Sequence, residues 1–313
     1  MTIEVDRLTK SFATGSRKRR RTIEAVHDIS FSVGAGERLA YIGPNGAGKS
    51  TSIKILTGIL FPTSGDAHVL GLVPWKQRRK LASRIGTLFG QRSQLWFELT
   101  PRQSFRTLAA IYGIAPERAA SRVGELAGLF DAEDLFDVPV RNLSLGQRMR
   151  CELAACMLHE PEILFLDEPT IGLDLLAKQR FRELLVRLNE ERGTTIFLTS
   201  HDVADIEQVA RRAIVVNHGS VIYDDDVTAM RRTLLSTKLV EVGFERPVDA
   251  PVIDGVEVVE RTATGLKLTV DTSRRSIREV LDTLLDSGVV ADISVIDPPL
   301  EQVIAEIYGA PRA

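Results

Sequence analysis

The stretch Gly43–Thr51, with the sequence GPNGAGKST, decides the fold of this chain. It fits the pattern G-x-x-x-x-G-K-[ST], in which backbone N–H groups surround the phosphates of a nucleotide. An apolar run at Leu39–Ile42 precedes it and a helical pattern at Ser52–Ile59 follows it, which is the strand–loop–helix setting that the pattern needs. A glycine-rich turn without a ligand is the alternative, and the flanking pattern disfavours it. The stretch therefore predicts a nucleotide-binding α/β domain.

The positions of this stretch have distinct expected roles. The helix that follows directs its positive end at the phosphates. Lys49 is expected to reach the β- and γ-phosphates, and the Ser50 hydroxyl is expected to bind Mg²⁺. Glycine allows the backbone to approach a phosphate where a side chain would clash. The residues expected to surround the nucleotide are Gly43, Pro44, Asn45, Gly46, Ala47, Gly48, Lys49, Ser50 and Thr51.

Composition places the chain among ordinary globular proteins, with 44% apolar and 26% charged residues. Its 313 residues suffice for two domains. The net charge of −2 does not indicate a nucleic-acid partner. No apolar run approaches the ~20 residues of a membrane helix, and Met1–Asp6 lacks the basic start of a signal peptide. We therefore expect a cytoplasmic chain whose membrane contact comes through a partner.

The two cysteines are expected to be reduced thiols in or near the core. Cys151 and Cys156 are five positions apart, a spacing that fits neither a metal pair nor a redox C-x-x-C. A disulfide is not expected in a cytoplasmic chain.

Strand and helix signals alternate through the first 230 residues, and the phosphate-loop pattern occurs once. Between residues 101 and 159 the apolar spacing becomes helical, which predicts a helical subdomain over about 92–160. Further helices are predicted at 177–191 and 202–210. This alternation implies an α/β domain over 1–230, with a mainly parallel sheet covered by helices. The predicted strands cover residues 3–12, 29–33, 38–42, 68–70, 85–89, 163–166, 195–199 and 213–217.

A second, smaller α+β domain is predicted over residues 235–313, because the composition shifts near Arg231–Lys238. Alternating apolar residues predict strands at 240–244 and 266–270, and a further strand is expected near 293–296. A helical stripe lies between Ser273 and Gly288, with Gly288 as its expected C-cap. A final helix is expected at Leu300–Tyr308.

An apolar strand at Ile163–Leu166 ends in two carboxylates, Asp167 and Glu168. Ligands of open α/β sheets bind at this carboxyl edge. Asp167 is expected to hold Mg²⁺ opposite Ser50, and Glu168 is expected to position or deprotonate an attacking water. The alternative is that the two acids only cap a helix.

Two further polar residues follow predicted strands. His201 comes after the run Ile196–Ser200, where its imidazole can donate to the γ-phosphate and orient the water. The alternative for a lone histidine is a structural role. Gln91 comes after Ile85–Phe89, and its neutral side chain can reach Mg²⁺ or water. We expect both residues in the catalytic site.

Leu143–Gln147, with the sequence LSLGQ, opens a predicted helix at Arg148–Leu158. The free N–H groups at its start and the Ser144 hydroxyl make a second phosphate-binding end. In isolation this stretch is only a capping motif.

Taken in this order, the motifs strongly resemble those of the ATP-binding subunits of ABC transporters, over residues 1 to about 230. By that resemblance Gly43–Thr51 is the Walker A loop, Gln91 the Q-loop residue and Leu143–Gln147 the signature. Leu145 stands where the family commonly has glycine, whereas the phosphate-contacting positions are kept. By the same resemblance, Asp167 and Glu168 end the Walker B strand, Gly172–Asp174 is the D-loop and His201 is the switch histidine. Phe12 corresponds to the aromatic residue that stacks on adenine. The nucleotide contacts outside the Walker A loop would be Ser144, Gly146, Gln147 and Asp174.

The resemblance implies a P-loop NTPase fold with an antiparallel β part, and ATP and Mg²⁺ as cofactors. Each ATP would lie between the Walker A loop of one copy and Ser144–Gln147 of another, which implies a homodimer. Integral-membrane permease subunits would be the further partners, at the cytoplasmic face of a bacterial membrane. The substrate would not be bound by this chain. The stretches FGQRSQLW and LSLGQRMRCELA, and residues 235–313, resemble an exporter branch with an accessory C-terminal domain.

Two stretches carry open alternatives. The basic run Gly15–Arg21 is a solvated surface loop or a contact for anionic lipid headgroups. Trp96 and Phe97 either line a groove for a permease helix or pack inside the helical subdomain.

Two other functional classes compete with a transport ATPase. One is a soluble ABC ATPase acting on ribosomes or DNA, whose members usually carry tandem ATPase domains or long coiled coils; neither is present in the sequence. The other is a regulatory module that binds ATP without hydrolysing it, and intact Glu168 and His201 argue against it.

Overall fold

The computed structural model describes residues 1–14, 21–90, 93–200, 202–233, 237–248 and 253–296. The chain divides into two compact units, Met1–Asp225 and Asp226–Ala313. Three predicted features lie outside the described residues: Gln91, His201 and the final helix Leu300–Tyr308. Most of the basic run Gly15–Arg21 also lies outside them.

The strands of the first unit are followed by helices in the alternation that the sequence predicts. Its strands are β1 (Ile3–Thr14), β2 (Arg21–Val33), β3 (Arg38–Ile42), β4 (Ser64–Val69), β5 (Ile85–Phe89), β6 (Ile163–Asp167), β7 (Thr195–Thr199), β8 (Arg212–Asn217) and β9 (Ser220–Asp226). Its α-helices are α1 (Lys49–Leu56), α2 (Arg78–Ala82), α3 (Pro101–Tyr112), α4 (Pro116–Leu129), α5 (Leu145–Cys156), α6 (Leu175–Arg192) and α7 (Val203–Val209).

The central sheet of the first unit has the strand order β5-β6-β7-β3-β8-β9. The neighbours from β5 through β8 pair in parallel. Asp167, at the end of β6, stands opposite Phe89 of β5 and Thr199 of β7. Parallel strands place their carboxyl ends at one edge, so the residues that follow β3, β6 and β7 meet there. The predicted, mainly parallel sheet is confirmed.

Strand β6 shows how this sheet separates two apolar cores. Side chains alternate between the faces of a strand, so Ile163 and Phe165 join one core while Leu164 and Leu166 join the other. The first core contains α1 and the strands around it. The second core contains α3, α4 and α5 of the helical insertion, including the buried Cys151 and Cys156. Helices α1 and α5 therefore pack on opposite faces of β6.

A separate antiparallel sheet has the order β2-β1-β4. Strand β2 begins at Arg21, well before the predicted start at residue 29. Its first part is exposed, as at Ile23 and Glu24, and an exposed strand carries no alternating apolar signal.

Helix α1 also begins earlier than predicted. It starts at Lys49, inside the phosphate loop, three residues before the predicted start.

The second unit is a small α+β structure. Its elements are α8 (Val227–Thr233), β10 (Thr237–Phe244), β11 (Val256–Arg261), β12 (Gly265–Asp271), α9 (Ile277–Ser287) and β13 (Val290–Ile296). Its sheet has the order β11-β12-β10-β13, with antiparallel pairing throughout. Val280 and Leu284 of its amphipathic helix α9 are buried in the same core as Val240 and Leu268. Gly288 is the C-cap of α9, as predicted, and with φ 171° the chain leaves the helix there in an extended conformation.

Across the described ranges, no helix has both the length and the apolar composition required to span a lipid bilayer.

Candidate functional site

The loop between β3 and α1 is shaped by close backbone contacts that only glycine permits. Gly48 has φ +103°, and a Cβ placed there would lie 2.2 Å from the carbonyl oxygen of Ala25. A Cβ at Gly43 would lie 2.3 Å from the carbonyl oxygen of Val216. Both distances are far below van der Waals contact. Strands β2 and β8 therefore lie so close to the loop that neither position can carry a side chain.

Lys49 is held within this loop. Its ammonium nitrogen Nζ donates to the carbonyl oxygens of Gly43, at 2.6 Å, and Pro44, at 3.4 Å. It also lies 3.7 Å from Oε1 of Glu168. The Lys49 side chain is buried. Solvent therefore screens its charge less than it would screen an exposed ammonium group.

Ser50 and Asp167 meet at the edge of the sheet. The Ser50 hydroxyl donates to Oδ1 of Asp167 at 3.2 Å, although the two residues come from different strand–loop units. A hydroxyl and a carboxylate are oxygen ligands of the kind that Mg²⁺ prefers. The pair thus has the donor chemistry for the predicted metal position.

Thr199, which the sequence analysis did not single out, is a third member of this cluster. Its hydroxyl donates to Oδ1 of Asp167 at 2.7 Å and accepts from the backbone N–H of Glu168 at 3.1 Å. The only signal in the sequence is its position as the last residue of the apolar run of β7. Thr199 orients the carboxylate of Asp167 and the backbone of Glu168 together.

Glu168 adopts a backbone conformation that is unusual for a residue with a side chain. Its φ is +53°, in the left-handed region, and strain of this kind is concentrated at functional sites. Its N–H also donates to the carbonyl oxygen of Thr199 at 3.1 Å. The β7 strand end therefore holds Glu168 in the turn that brings its carboxylate beside Lys49.

The residues on either side of His201 are fixed by a buried ionic network. Ser200 donates to Asp205 at 2.7 Å, and Arg182 donates to Asp205 at 2.6 Å. Asp202 accepts from Lys178 at 2.6 Å. Burial opposes the ionisation of Asp202, but the Lys178 hydrogen bond and the charge of Arg182 outweigh it, so its pKa lies below the usual value. The chain at this strand end is anchored on both sides of the predicted switch histidine.

The predicted signature forms the start of α5. Ser144 and Gln147 make a reciprocal capping box: the Ser144 hydroxyl accepts from the Gln147 N–H at 3.2 Å, and the Gln147 side chain accepts from the Ser144 N–H at 2.9 Å. A Cβ at Gly146 would lie 2.9 Å from that of Ala177. Glycine therefore lets α5 approach α6 closely.

The signature and the predicted D-loop form one surface. Asp174 caps α6 by accepting from the Ala177 N–H at 2.8 Å, and it lines a cavity of about 290 Å³ with Ser144, Gly146 and Gln147. Arg150 and Arg180 also line this cavity, which gives it the positive charge suited to phosphate. The structure therefore brings four of the predicted nucleotide contacts together, at a helix start on the opposite face of β6 from Gly43–Thr51.

Leu145, the departure from the family signature, faces this surface too. Its Cδ2 lies 3.1 Å from where a Cβ of Gly172 would stand. The larger side chain is thus accommodated because the D-loop has glycine at the point of contact.

Phe12 lies on β1, opposite Ile23 of β2. Lys10 places its ammonium 5.1 Å from the centre of the Phe12 ring. Strand β2 continues to Ala25, whose carbonyl oxygen borders Gly48. Phe12 is therefore on the strand next to the one that contacts the phosphate loop, which is compatible with its predicted role beside the adenine.

Trp96 and Phe97 lie on the surface of the helical insertion, 41% and 49% exposed. Arg148, next to the signature, lies 5.4 Å from the centre of the Phe97 ring. This exposure argues against packing inside the insertion, and the groove for a permease helix stays a prediction.

Sequence comparisons place the chain among known proteins. The family profile described as ABC transporter matches residues 26–171. The daunorubicin resistance ATP-binding protein DrrA2 of Streptomyces coeruleorubidus is 33% identical over 305 residues, 95% of this chain and 94% of the relative. The bacitracin transport ATP-binding protein BcrA of Bacillus licheniformis is 34% identical over 220 residues, 70% of this chain and 68% of the relative.

Structural comparison agrees with the sequence relatives. The ATP-binding cassette MJ0796, solved as a dimer in a post-hydrolysis state with ADP and Pi, matches with a TM-score of 0.63 at 26% identity. The match covers 72% of this chain and 98% of that one. The predicted P-loop NTPase fold is confirmed by this likeness. Relatedness over nearly the full length, together with the shared fold, shows that the chain belongs to the ATP-binding proteins of ABC transporters, a family of ATP-hydrolysing cassettes.

Proposed function

We propose that two copies of this chain enclose two ATP molecules and drive export through separate permease subunits. The observation that carries the proposal is that each chain has two glycine-containing helix starts suited to phosphate, at α1 and α5, on opposite faces of β6. One ATP needs only one Walker A loop, so the second end suits the nucleotide of another copy. Each nucleotide would then lie between Gly43–Thr51 of one copy and Ser144–Gln147 of the other.

Exposed apolar side chains beside the signature surface support this arrangement. Leu175 and Leu176, which follow Asp174, are 76% and 68% exposed, and Ile171 is 38% exposed. Apolar groups clustered on a surface mark interaction sites. A second copy that covers them would bury the rim of both composite sites.

Hydrolysis in this arrangement is in-line attack of water on the γ-phosphate. Glu168 accepts the proton of the water, while Thr199 keeps the Glu168 backbone in place. Lys49 stabilises negative charge on the phosphate oxygens. Ser50, Asp167 and Gln91 would hold Mg²⁺, which would supply further charge neutralisation, and His201 orients the water. ATP favours the closed dimer and hydrolysis releases it, which is a ligand-driven population shift.

Mixing two inactive variants tests the composite site. Lys49→Ala and Ser144→Arg chains should each hydrolyse little ATP, because each variant damages both sites of its own dimer. A mixed dimer has one site with both changes and one site with none. With random pairing and independently working sites, an equal mixture should recover about a quarter of the native phosphate-release rate.

The control for this mixture is two differently tagged Lys49→Ala chains, which restore no intact site. If tagged pull-down shows mixed dimers and the Lys49→Ala/Ser144→Arg mixture stays as inactive as the control, the composite-site proposal is wrong.

The permease contact is tested at Trp96. We propose that the permeases, at the cytoplasmic face of the membrane, contact Trp96 and Phe97. Trp96→Ala should weaken binding to the permeases encoded beside this chain by about 30-fold, or ~2 kcal/mol, because buried tryptophans are typical anchors. Basal ATP hydrolysis by the isolated chain should stay unchanged. The measurement is co-purification with the permeases, alongside ATP-driven transport in inverted vesicles.

Phe61→Ala is the matched control, since Phe61 is also an exposed aromatic residue, at 62%, but belongs to a different loop. Equal permease binding by native and Trp96→Ala chains would show that Trp96 is not an anchor.

The export direction rests on the relatives. DrrA2 is named for daunorubicin resistance and BcrA for bacitracin transport. We propose that this chain likewise powers the removal of a compound bound by its permeases, with residues 235–313 as an accessory domain.

A further inference from the structure

Glu152 is a buried carboxylate in the middle of α5 that none of the proposed steps uses. Only 2% of the residue is exposed. Its Oε1 accepts a short hydrogen bond from the Ser93 hydroxyl, and its Oε2 accepts from the backbone N–H of Gln94 at 2.9 Å. Burial raises the pKa of Glu152, although the hydrogen bonds from Ser93 and Gln94 oppose that shift. An apolar side chain would avoid this cost of burial, so the contacts of Glu152 need a reason other than packing.

Gln94 strengthens the same connection. Its side-chain amide donates to the carbonyl oxygen of Thr87 at 2.6 Å and to Sγ of Cys156 at 3.0 Å. Thr87 is on β5, and Cys156 is on α5 one turn after Glu152. Residues 93–94 are therefore bound to the strand that precedes Gln91 and to the signature helix at once.

The chain beyond Gln94 is also joined to the signature region. The Arg148 guanidinium lies over the Phe97 ring. Glu98 pairs with Arg141, and the Arg141 N–H donates to the carbonyl oxygen of Phe97 at 3.0 Å. Residues 93–98 thus contact the segment before α5, its first turn and its middle.

We propose that Glu152 is a positioning residue that makes the segment 93–97 and helix α5 move as one unit. This inference rests on the proposed roles of Gln91, Ser144 and Trp96. Gln91 is two residues before Ser93 in the chain, Trp96 belongs to the proposed permease surface, and Ser144 is the N-cap of the signature helix. Through Glu152, a displacement at the permease surface reaches both the nucleotide's own site and the signature that serves the partner copy.

Three variants test this role. Glu152→Leu removes both acceptors at similar volume, and Ser93→Ala removes one hydrogen bond from the opposite side. Glu152→Gln keeps both contacts, because the amide oxygen accepts from Gln94 and the amide nitrogen donates to the Ser93 hydroxyl. Glu183→Leu, on the exposed face of α6, is the control for the same replacement elsewhere.

The measurements are kcat and KM for ATP hydrolysis by the full chain, with circular dichroism to verify folding. Glu152→Leu and Ser93→Ala should lower kcat at least about tenfold and change KM less than about threefold, because the Walker A loop is untouched. Glu152→Gln and Glu183→Leu should stay within about twofold of the native kcat. A folded Glu152→Leu chain with native kcat, or a Glu152→Gln chain as impaired as Glu152→Leu, would overturn the proposal. If Glu152→Leu does not fold, Ser93→Ala decides: native kcat in that variant overturns the proposal.

A second readout separates this inference from the proposed function. In a Glu168→Gln chain, ATP should accumulate a dimer, and adding Glu152→Leu or Ser93→Ala should reduce the dimer fraction seen by size-exclusion chromatography. Failure of Glu168→Gln alone to form a dimer would contradict the proposed function. A full dimer fraction in both double variants would contradict only the role of Glu152.

Discussion

Glu168→Gln should nearly stop ATP hydrolysis while leaving ATP binding intact. The amide has the shape of the carboxylate but cannot accept a proton from water, and loss of a general base lowers turnover by about 10²–10⁴-fold. The contacts of Lys49 with Gly43 and Pro44 do not depend on Glu168, so the loop should still bind ATP. A chain that binds but does not hydrolyse ATP should accumulate the nucleotide-bound dimer. Phosphate release and size-exclusion chromatography with ATP measure the two effects.

Glu162→Gln provides the matched control, because Glu162 directly precedes β6 whereas Glu168 directly follows it. Glu162 is exposed and pairs with Arg84, so the same substitution there should leave hydrolysis unchanged. Undiminished hydrolysis by Glu168→Gln would remove Glu168 from the catalytic role.

Gly48→Ala should abolish ATP binding and destabilise the first unit. The added methyl group would lie 2.2 Å from the Ala25 carbonyl oxygen, and the residue would keep a φ of +103°. The clash and the backbone strain together should lower the free energy of unfolding by about 3 kcal/mol or more. For a unit of this size, that corresponds to a fall in Tm of roughly 6–12 °C. Thermal unfolding and equilibrium dialysis with ATP measure the two losses.

Gly46→Ala separates the clash from the strain. Gly46 also has a positive φ, +84°, but a Cβ there meets no atom within 4 Å. Gly46→Ala should lower the free energy of unfolding by only about 1 kcal/mol and leave the loop folded. Equal destabilisation by the two variants would show that strain, not the contact with β2, limits position 48.

The buried strands of the central sheet were predictable from the sequence. Strands β3, β5 and β7 have the predicted bounds, because strands buried on both faces read as continuous apolar runs. The exposed β9 was not predicted, since its last residues are acidic and it lacks a clear apolar alternation. It lies beside β8, the strand directly before it, where Arg212 donates to Asp224 at 2.6 Å.

In the site, too, some contacts follow from local sequence patterns, whereas others depend on which residues the fold brings together. The meeting of Ser50 and Asp167 follows from the phosphate-loop pattern and the strand that ends in two acids. The role of Thr199 depends on the register that places it opposite Asp167, and one residue of slip would turn its side chain to the other face. The link between Ser93 and Glu152 likewise joins residues that only the packing of α5 on the sheet brings together.

The buried thiols in α5 have a practical consequence for spectroscopic labelling. Burial raises the pKa of both Cys151 and Cys156 to about 12, so at neutral pH both are protonated and shielded from alkylating reagents. Maleimide probes will therefore leave the native thiols of the folded chain unmodified. A single cysteine introduced at the exposed Leu176 would be the one reactive thiol, and a fluorophore there would report ATP-driven closure without prior removal of the native cysteines.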